Sequence, residues 1–215
     1  MGRAWTVIDA AATPEGALEL RQRGDDFLIV VGGRVLMSSA AHRTEVAVAE
    51  VACTGLTGSP KVLIGGLGMG YTLRAALDAL PATAAVTVAE LNPVIERWCH
   101  GPLAPLTSGA VDDPRVTLKI ADVARLIATT RGWDAIVLDL YEGPHAATQS
   151  ADDPFYGARA LRATHAALVA GGKFAVWSED PDFAFEKRLA TAGFTVTRAP
   201  ARGGPRHAVY LATRR

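Results

Sequence analysis

Ten residues, Lys61-Val62-Leu63-Ile64-Gly65-Gly66-Leu67-Gly68-Met69-Gly70, constrain this chain more than any other stretch. An apolar run too short for a helix ends in four glycines among six residues, and the helix-forming stretch Tyr71 to Leu80 follows at once. The pattern predicts strand, tight loop, helix. Glycine has no Cβ, so such a loop takes positive φ and lets a ligand approach its backbone, while the next helix offers its positive N-terminal end. A small-molecule cofactor site is the natural use.

The spacing narrows the cofactor. The dinucleotide fingerprint Gly-x-Gly-x-x-Gly, started at Gly66 and Gly68, requires glycine at 71, where Tyr71 stands; started at Gly65 it fails at Leu67. What remains, Gly66-x-Gly68-x-Gly70, is the looser form common in S-adenosylmethionine (SAM) enzymes.

Composition excludes several alternatives. Lys plus Arg equals Asp plus Glu at 22 each, so no basic field advertises nucleic acid and no acidic excess suggests a solvating tail. Cys53 and Cys99 lack CxxC spacing and no Cys/His cluster suggests zinc, so no metal is expected and both thiols read as small buried apolar groups in a reducing cytoplasm. Apolar stretches fall well short of the ~20 residues that span a bilayer, and the N-terminus lacks the apolar core of a signal peptide. The expectation is a soluble cytoplasmic protein with no membrane or nucleic-acid partner. There is no P-loop Gly-Lys-Ser/Thr, no Gly-x-Ser-x-Gly elbow and no His-Glu-x-x-His.

Residues 1–40 read as a small antiparallel β unit, with strands at Leu18–Arg21, Phe27–Val31 and Arg34–Met37 joined by turns at Gly24 and Gly32-Gly33. Such a unit is marginal alone and needs the main domain or another subunit to pack on. Thr44, as N-cap, opens an Ala/Val-rich helix to about Leu56. From Lys61 strand and helix alternate. Strands are expected at 61–65, 85–90, 115–120, 134–139, 173–177, 194–198 and 207–211, with Gly171-Gly172 stopping a helix before the fifth. That alternation argues an α/β fold, a mostly parallel sheet covered on both faces, with ligands at the carboxyl ends of its strands.

Acids fall at those ends. Glu90 closes the second strand, about twenty residues beyond the glycines, where a carboxylate can accept from both ribose hydroxyls. Asp122, after the third strand, either accepts from an adenine amino group while Val123 packs on the ring, or caps the next helix; one residue can do both. Asp139 closes the fourth strand, where a carboxylate either takes a proton from an acceptor or bonds loop amides. Tyr141, Glu142 and His145 follow it as substrate contacts or as solvated loop residues. The stretch Trp177 to Asp182 is placed either to line the acceptor pocket or to be a solvated acidic loop.

Taken together these residues resemble the SAM-dependent methyltransferase fold and, within it, the spermidine synthase family, over nearly the whole chain. Val62-Leu63-Ile64-Gly65-Gly66 is similar to that family's glycine-rich motif, Val88-Ala89-Glu90-Leu91-Asn92 to its ribose motif, and Ile120-Ala121-Asp122-Val123 to its adenine motif. Trp133 to Asp139 with Gly143-Pro144 resembles its catalytic strand and loop, and Asp153-Pro154-Phe155-Tyr156 and Leu168 to Lys173 extend the match. The resemblance implies a Rossmann-like SAM-dependent methyltransferase fold, with a mostly parallel seven-stranded sheet over residues 41–215, a small N-terminal β domain and a homodimer. It also implies SAM or decarboxylated SAM as cofactor and a small-molecule acceptor.

The departures matter for the reaction. Spermidine synthases carry an aspartate in the glycine loop that faces the ammonium of decarboxylated SAM, and Gly68 stands there in this chain. The family's Asp-Glu-x-x-Tyr acceptor stretch is similar to Thr44-Glu45-Val46-Ala47-Val48, which keeps only Glu45, and its Asp-x-x-Asp to Asp139-Leu140-Tyr141-Glu142. On this reading Gly65, Gly66, Gly68 and Gly70 wrap the methionine end, Glu90 holds the ribose, and Leu91, Asp122 and Val123 hold the adenine. Asp139 with Glu142 does the acid-base work. The expectation is methyl transfer from intact SAM to a small acceptor. The alternatives are aminopropyl transfer from decarboxylated SAM and a non-catalytic SAM- or nucleoside-binding protein.

Overall fold

A computed structural model describes residues 4–14, 16–140, 143–144, 150–199 and 207–215 of the 215. Its first 38 residues contribute a four-stranded antiparallel sheet, β1 (Thr6–Thr13), β2 (Gly16–Arg23), β3 (Asp26–Val31) and β4 (Arg34–Ser38), in sequential order. Gly32 and Gly33 turn β3 into β4 with φ of 53° and 83°. Two positive φ values in a two-residue loop match the twist of the flanking strands, and a glycine pair meets that demand without strain.

The remaining strands form a seven-stranded sheet: β5 (Lys61–Gly65), β6 (Ala85–Glu90), β7 (Val116–Ile120), β8 (Trp133–Leu138), β9 (Leu168–Ser178), β10 (Phe194–Ala199) and β11 (Ala208–Arg214). Their spatial order is β10-β11-β9-β8-β5-β6-β7, with β7, β6, β5, β8 and β9 parallel and β11 wedged antiparallel between β9 and β10. This is the expected α/β fold. Val62, Leu63 and Ile64 in β5 and Ala135 to Leu138 in β8 are wholly buried, as befits central parallel strands covered on both faces. Helices α1 (Arg43–Cys53), α2 (Tyr71–Ala79), α3 (Pro93–His100), α4 (Val123–Thr129), α5 (Ala158–Ala167) and α6 (Phe183–Thr191) cover it. The strand order reverses between β5 and β8, so their carboxyl ends open the crevice where a doubly wound sheet takes ligands. No described helix is long and apolar enough to cross a membrane.

Four sequence expectations change. Strand β1 is unannounced, because Thr-Val-Ile-Asp-Ala-Ala-Ala-Thr is alanine-rich and lies at an edge, where pairing with β2 rather than propensity holds it. Thr44 is not the N-cap of α1. That position is His42, whose Nδ1 meets the Ser39 carbonyl at 3.0 Å and whose ring stacks on Tyr71 at 4.1 Å, so tertiary contacts set the helix start. The helix also ends at Cys53, short of Leu56. Gly171-Gly172, finally, does not separate helix from strand: β9 begins at Leu168, directly after α5. Its pairing with β8 jumps from Trp133–Leu168 to Ala135–Lys173, so residues 169–172 bulge outward. Gly171 sits there at φ 75°, and a Cβ on Gly172 would lie 2.8 Å from the Val169 carbonyl oxygen.

Two polar clusters fix the layers. Asp9 on β1 accepts from the Trp98 indole N–H at 2.7 Å and from Arg97 at 2.6 Å, fastening the small sheet to α3; those bonds hold its carboxyl below the usual range. Arg115 forks onto Asp113 at 2.9 Å through Nε and Nη2 and donates through Nη1 to the carbonyls of Leu77 and Leu80, closing the end of α2. The Arg115 bonds hold the Asp113 carboxyl down to about 2. A carboxyl so depressed contributes stability that is present above its ordinary value and lost as the pH falls toward 2. We expect Arg115→Ala to destabilise the fold by about 2–3 kcal/mol, because it removes charged hydrogen bonds to three partners. Asp26→Asn, which breaks the exposed Arg23 pair, should cost under about 1 kcal/mol. Thermal melts at pH 7 and pH 3 read both, and the difference between the variants should narrow at the lower pH.

Candidate functional site

The glycine loop is shaped by what crosses it. Gly66 has φ 88°, its N–H donates to Ala89 O at 2.9 Å, and the Asp139 N–H donates to Gly65 O at 3.0 Å. A Cβ on Gly66 would overlap the Asp139 carbonyl oxygen, and one on Gly65 would meet the Leu138 and Val123 side chains at 2.9 Å. Bare backbone is therefore what allows β5, β6 and β8 to converge on one point. Gly70, at φ 85°, is the N-cap of α2, so it turns the loop into the helix. At Gly68 (φ 52°) the space a Cβ would enter is filled from the small sheet: the Met37 sulfur would stand 2.9 Å away and accepts the Met69 N–H at 3.2 Å.

Glu90 reaches back to this loop. Its Oε2 accepts the Leu67 N–H at 2.9 Å and its Oε1 the Asn92 N–H at 2.8 Å. An ionised carboxylate has about four lone-pair sites, so two remain to face a ligand. Asp122 is the N-cap of α4, accepting from Ala124 N–H at 2.8 Å, and it lines the cavity as well. Leu91, 71% exposed, and buried Val123 lie either side of it on the lining.

Asp139, one residue past β8, is partly buried and accepts a short hydrogen bond from Thr72 Oγ1 on α2. Burial first, and the nearby charge of Glu45 second, push its carboxyl up to about 7, against the lowering effect of Thr72. Glu45 on α1 is oriented by Thr44, whose hydroxyl donates to Oε2 at 2.7 Å. Thr72 Oγ1 also lies 3.3 Å from the Glu45 main-chain carbonyl oxygen, so this hydroxyl sits between the backbone of α1 and the Asp139 carboxylate.

These elements enclose a cavity of about 310 Å³, at the lower end of the roughly 300–1,000 Å³ usual for small-molecule sites. Gly66, Gly68, Glu45, Glu90, Leu91, Asp122, Val123 and Asp139 line it, whereas Gly65 and Gly70 act only on the shape of the loop. Tyr141, Glu142 and His145 lie outside the described residues. Among the described residues the ionisable groups on the lining are Glu45, Glu90, Asp122 and Asp139, with no Lys, Arg or His. Sequence reasoning missed Met37 and Thr72, which carry no motif. It left Trp177 open; the structure places that residue on the lining, with its indole N–H buried and without an acceptor among the described residues.

The donor set suits an adenosyl group. The free lone pairs of Glu90 match ribose hydroxyls, Leu91 and Val123 offer apolar faces beside the Asp122 carboxylate, and Gly66 and Gly68 present backbone.

No protein-family model and no curated protein matches the sequence. Solved structures do. A spermidine synthase from Thermotoga maritima superposes with a TM-score of 0.77 at 21% identity, covering 97% of this chain and 73% of that one. A spermidine synthase in complex with the transition-state analogue AdoDATO gives 0.76 at 20%, covering 97% and 72%. A probable spermidine synthase from Corynebacterium glutamicum gives 0.65 at 16%, covering 97% and 80%. The chain has the spermidine synthase fold, small sheet included.

The loop geometry sets an expectation. Gly66→Ala should destabilise the protein by more than the about 1–2 kcal/mol that positive φ costs an L-residue, and should abolish nucleoside binding. Gly132→Ala, at φ 86° with nothing within 4 Å of its Cβ, should show the strain alone and keep the binding. Urea melts and titration with 5′-methylthioadenosine check both.

Proposed function

We propose that this protein is a transferase that moves an alkyl group from an adenosyl sulfonium to an amine, and that the group is aminopropyl from decarboxylated SAM. The observation that carries this reading is the charge of the cavity: four carboxylates and, among the described residues, no cation on the lining. The carboxylate of intact SAM would enter that field without a side-chain partner, whereas a donor bearing only sulfonium and ammonium suits it. The spermidine synthases of like fold agree with the choice. Glu90 would hold the ribose, Leu91, Val123 and Asp122 the adenine, and the Gly66–Gly68 backbone the chain of the donor.

When bound, such a donor supplies an electrophilic carbon whose thioether leaves with the electron pair. The protein's part is to position and to deprotonate. A nucleophilic amine must be neutral, and Asp139, with its carboxyl raised to about 7, is matched to take the proton near neutral pH. Thr72 holds that carboxylate in place, and Glu45 keeps the field negative so that the proton is retained.

A second reading, methyl transfer from intact SAM, has one observation in its favour: the loop carries no carboxylate, and at Gly68 a methionine sulfur occupies the space instead. Calorimetric titration with SAM and with decarboxylated SAM separates the two. Tighter binding of the decarboxylated form is expected, and a preference for SAM would replace aminopropyl by methyl transfer. Under either reading Glu90→Ala should weaken nucleoside binding by about tenfold or more through the lost charged hydrogen bonds.

The rate should rise with pH through about 7, as Asp139 loses its proton, and Asp139→Asn should lower it by roughly 10²- to 10⁴-fold and remove that limb. Turnover unchanged in this variant at equal donor affinity would point to a base elsewhere; no turnover in the parent protein with any amine would leave a binding protein. Val7, Ile8 and Val35 stand exposed on the small sheet. We expect them to be covered in a homodimer, and light scattering that returns a monomer would remove that expectation.

A further inference from the structure

One peptide of the glycine loop, Gly68–Met69, is held between two sulfur atoms. Its N–H donates to Met37 Sδ on β4 at 3.2 Å, and its carbonyl accepts from Cys99 Sγ on α3 at 3.3 Å. Burial pushes the Cys99 thiol up to about 12, so it remains a protonated donor at ordinary pH. The N–H and C=O of a trans peptide point in opposite directions, so the two contacts fix its plane, the carbonyl toward α3 and the N–H toward the small sheet.

Three other amides of the loop have stronger acceptors. Gly66 N–H is taken by the Ala89 carbonyl at 2.9 Å, Leu67 N–H by the Glu90 carboxylate at 2.9 Å and Gly70 N–H by the Leu67 carbonyl at 2.8 Å. A thioether is a weak acceptor. Of these bonded amides, Met69 N–H is therefore the one that a carboxylate would take over most readily. It also stands one residue before the N-cap of α2, where the helix end favours negative charge. The bulk of Met37 stands in the way. That side chain lines the cavity, and its sulfur and methyl carbon would lie 2.9 and 3.2 Å from a Cβ on Gly68, so the space on that side of the loop is taken.

Building on the transferase reading above, in which the Gly66–Gly68 backbone holds the chain of the donor, we infer that Met37 is a specificity-determining residue for that donor. It fills the place beside Gly68 and covers the Met69 N–H, so the site takes a chain that ends in an ammonium and rejects one that carries a carboxyl group as well. The lining acids discriminate by charge, whereas Met37 discriminates by space and by withholding an amide.

Calorimetry on the full-length protein separates the two effects with four ligands: 5′-methylthioadenosine, decarboxylated SAM, SAM and the carboxamide of SAM. The carboxamide matches SAM in shape and decarboxylated SAM in charge. We expect the parent to bind decarboxylated SAM about tenfold or more tightly than either SAM or the carboxamide. Met37→Ala should raise the affinity for SAM relative to decarboxylated SAM by about tenfold or more, through the charged hydrogen bond that the uncovered Met69 N–H offers. Met37→Leu also removes the sulfur but keeps the bulk, and should restore the ratio of the parent. Because 5′-methylthioadenosine lacks the amino-acid chain, it registers any loss of loop order common to both variants. An unchanged ratio in Met37→Ala, or the same change in Met37→Leu, overturns the inference. So does a carboxamide that the parent binds as tightly as decarboxylated SAM, since charge alone would then account for the choice. A parent that prefers SAM overturns the aminopropyl reading and this inference together, and a parent that binds no nucleoside brings down the transferase reading first. The carboxamide comparison on the parent stands whether or not the variants fold.

Discussion

The close approach of the Asp139 carbonyl to Gly66 is the constraint on which the rest of the site depends. Three strands deliver their ends to one point there: β5 through Gly65 and Gly66, β6 through the Ala89 carbonyl, and β8 through the Asp139 N–H. Any side chain at 66 would push β8 away from β5. Once the backbones meet, the positions of the functional groups follow. Asp139 must leave the sheet beside the first turn of α2, where Thr72 finds it, and Glu90 must fold back over the loop to the Leu67 N–H. The chemistry of the site is downstream of a backbone contact that only glycine permits.

The small sheet is coupled to that point from above. Met37 lies on Gly68 and accepts the Met69 N–H, Tyr71 at the start of α2 donates to the Ser39 carbonyl at 3.3 Å, and His42 stacks on the same tyrosine. At its far side Asp9 holds Trp98 and Arg97. A four-stranded sheet of this size is marginal alone, and these contacts give it a partner surface. They also make it part of the cavity, to whose lining it contributes Leu18, Ile29, Leu36 and Met37.

How much of this is legible in sequence depends on the range of the interaction. The strand, glycine loop and helix at residues 61–79 are written in local pattern, and so is Glu90, because a strand's last residue can be counted from its first. Asp122 was readable as a helix cap, because an acid directly before an apolar helical run is a local signal. Thr72 and Met37 were not, because their partners lie 67 and 32 residues away and neither position has a composition that announces it. Thr44 misled for the opposite reason. It is a good N-cap by type, but the stack of His42 on Tyr71 starts α1 elsewhere and frees the hydroxyl for Glu45. Gly171-Gly172 misled because a glycine pair ends a helix and makes a bulge equally well, and only the pairing with β8 decides between them.

The buried carboxyl of Asp139 carries a cost in stability. A carboxyl raised to about 7 in the fold binds a proton more tightly than in the unfolded chain. Its contribution therefore opposes folding above pH 7 and is relieved as the pH falls through 7 toward the ordinary carboxylate range, the reverse of the Asp113–Arg115 pair. Core packing would favour an apolar residue at 139, and Thr72 compensates only part of the burial. A cation placed between Glu45 and Asp139 would remove the repulsion, lower the Asp139 carboxyl and stabilise the fold at once. A cation held beside Asp139 and the loss of the proton from that carboxyl would favour each other, because the linkage is reciprocal.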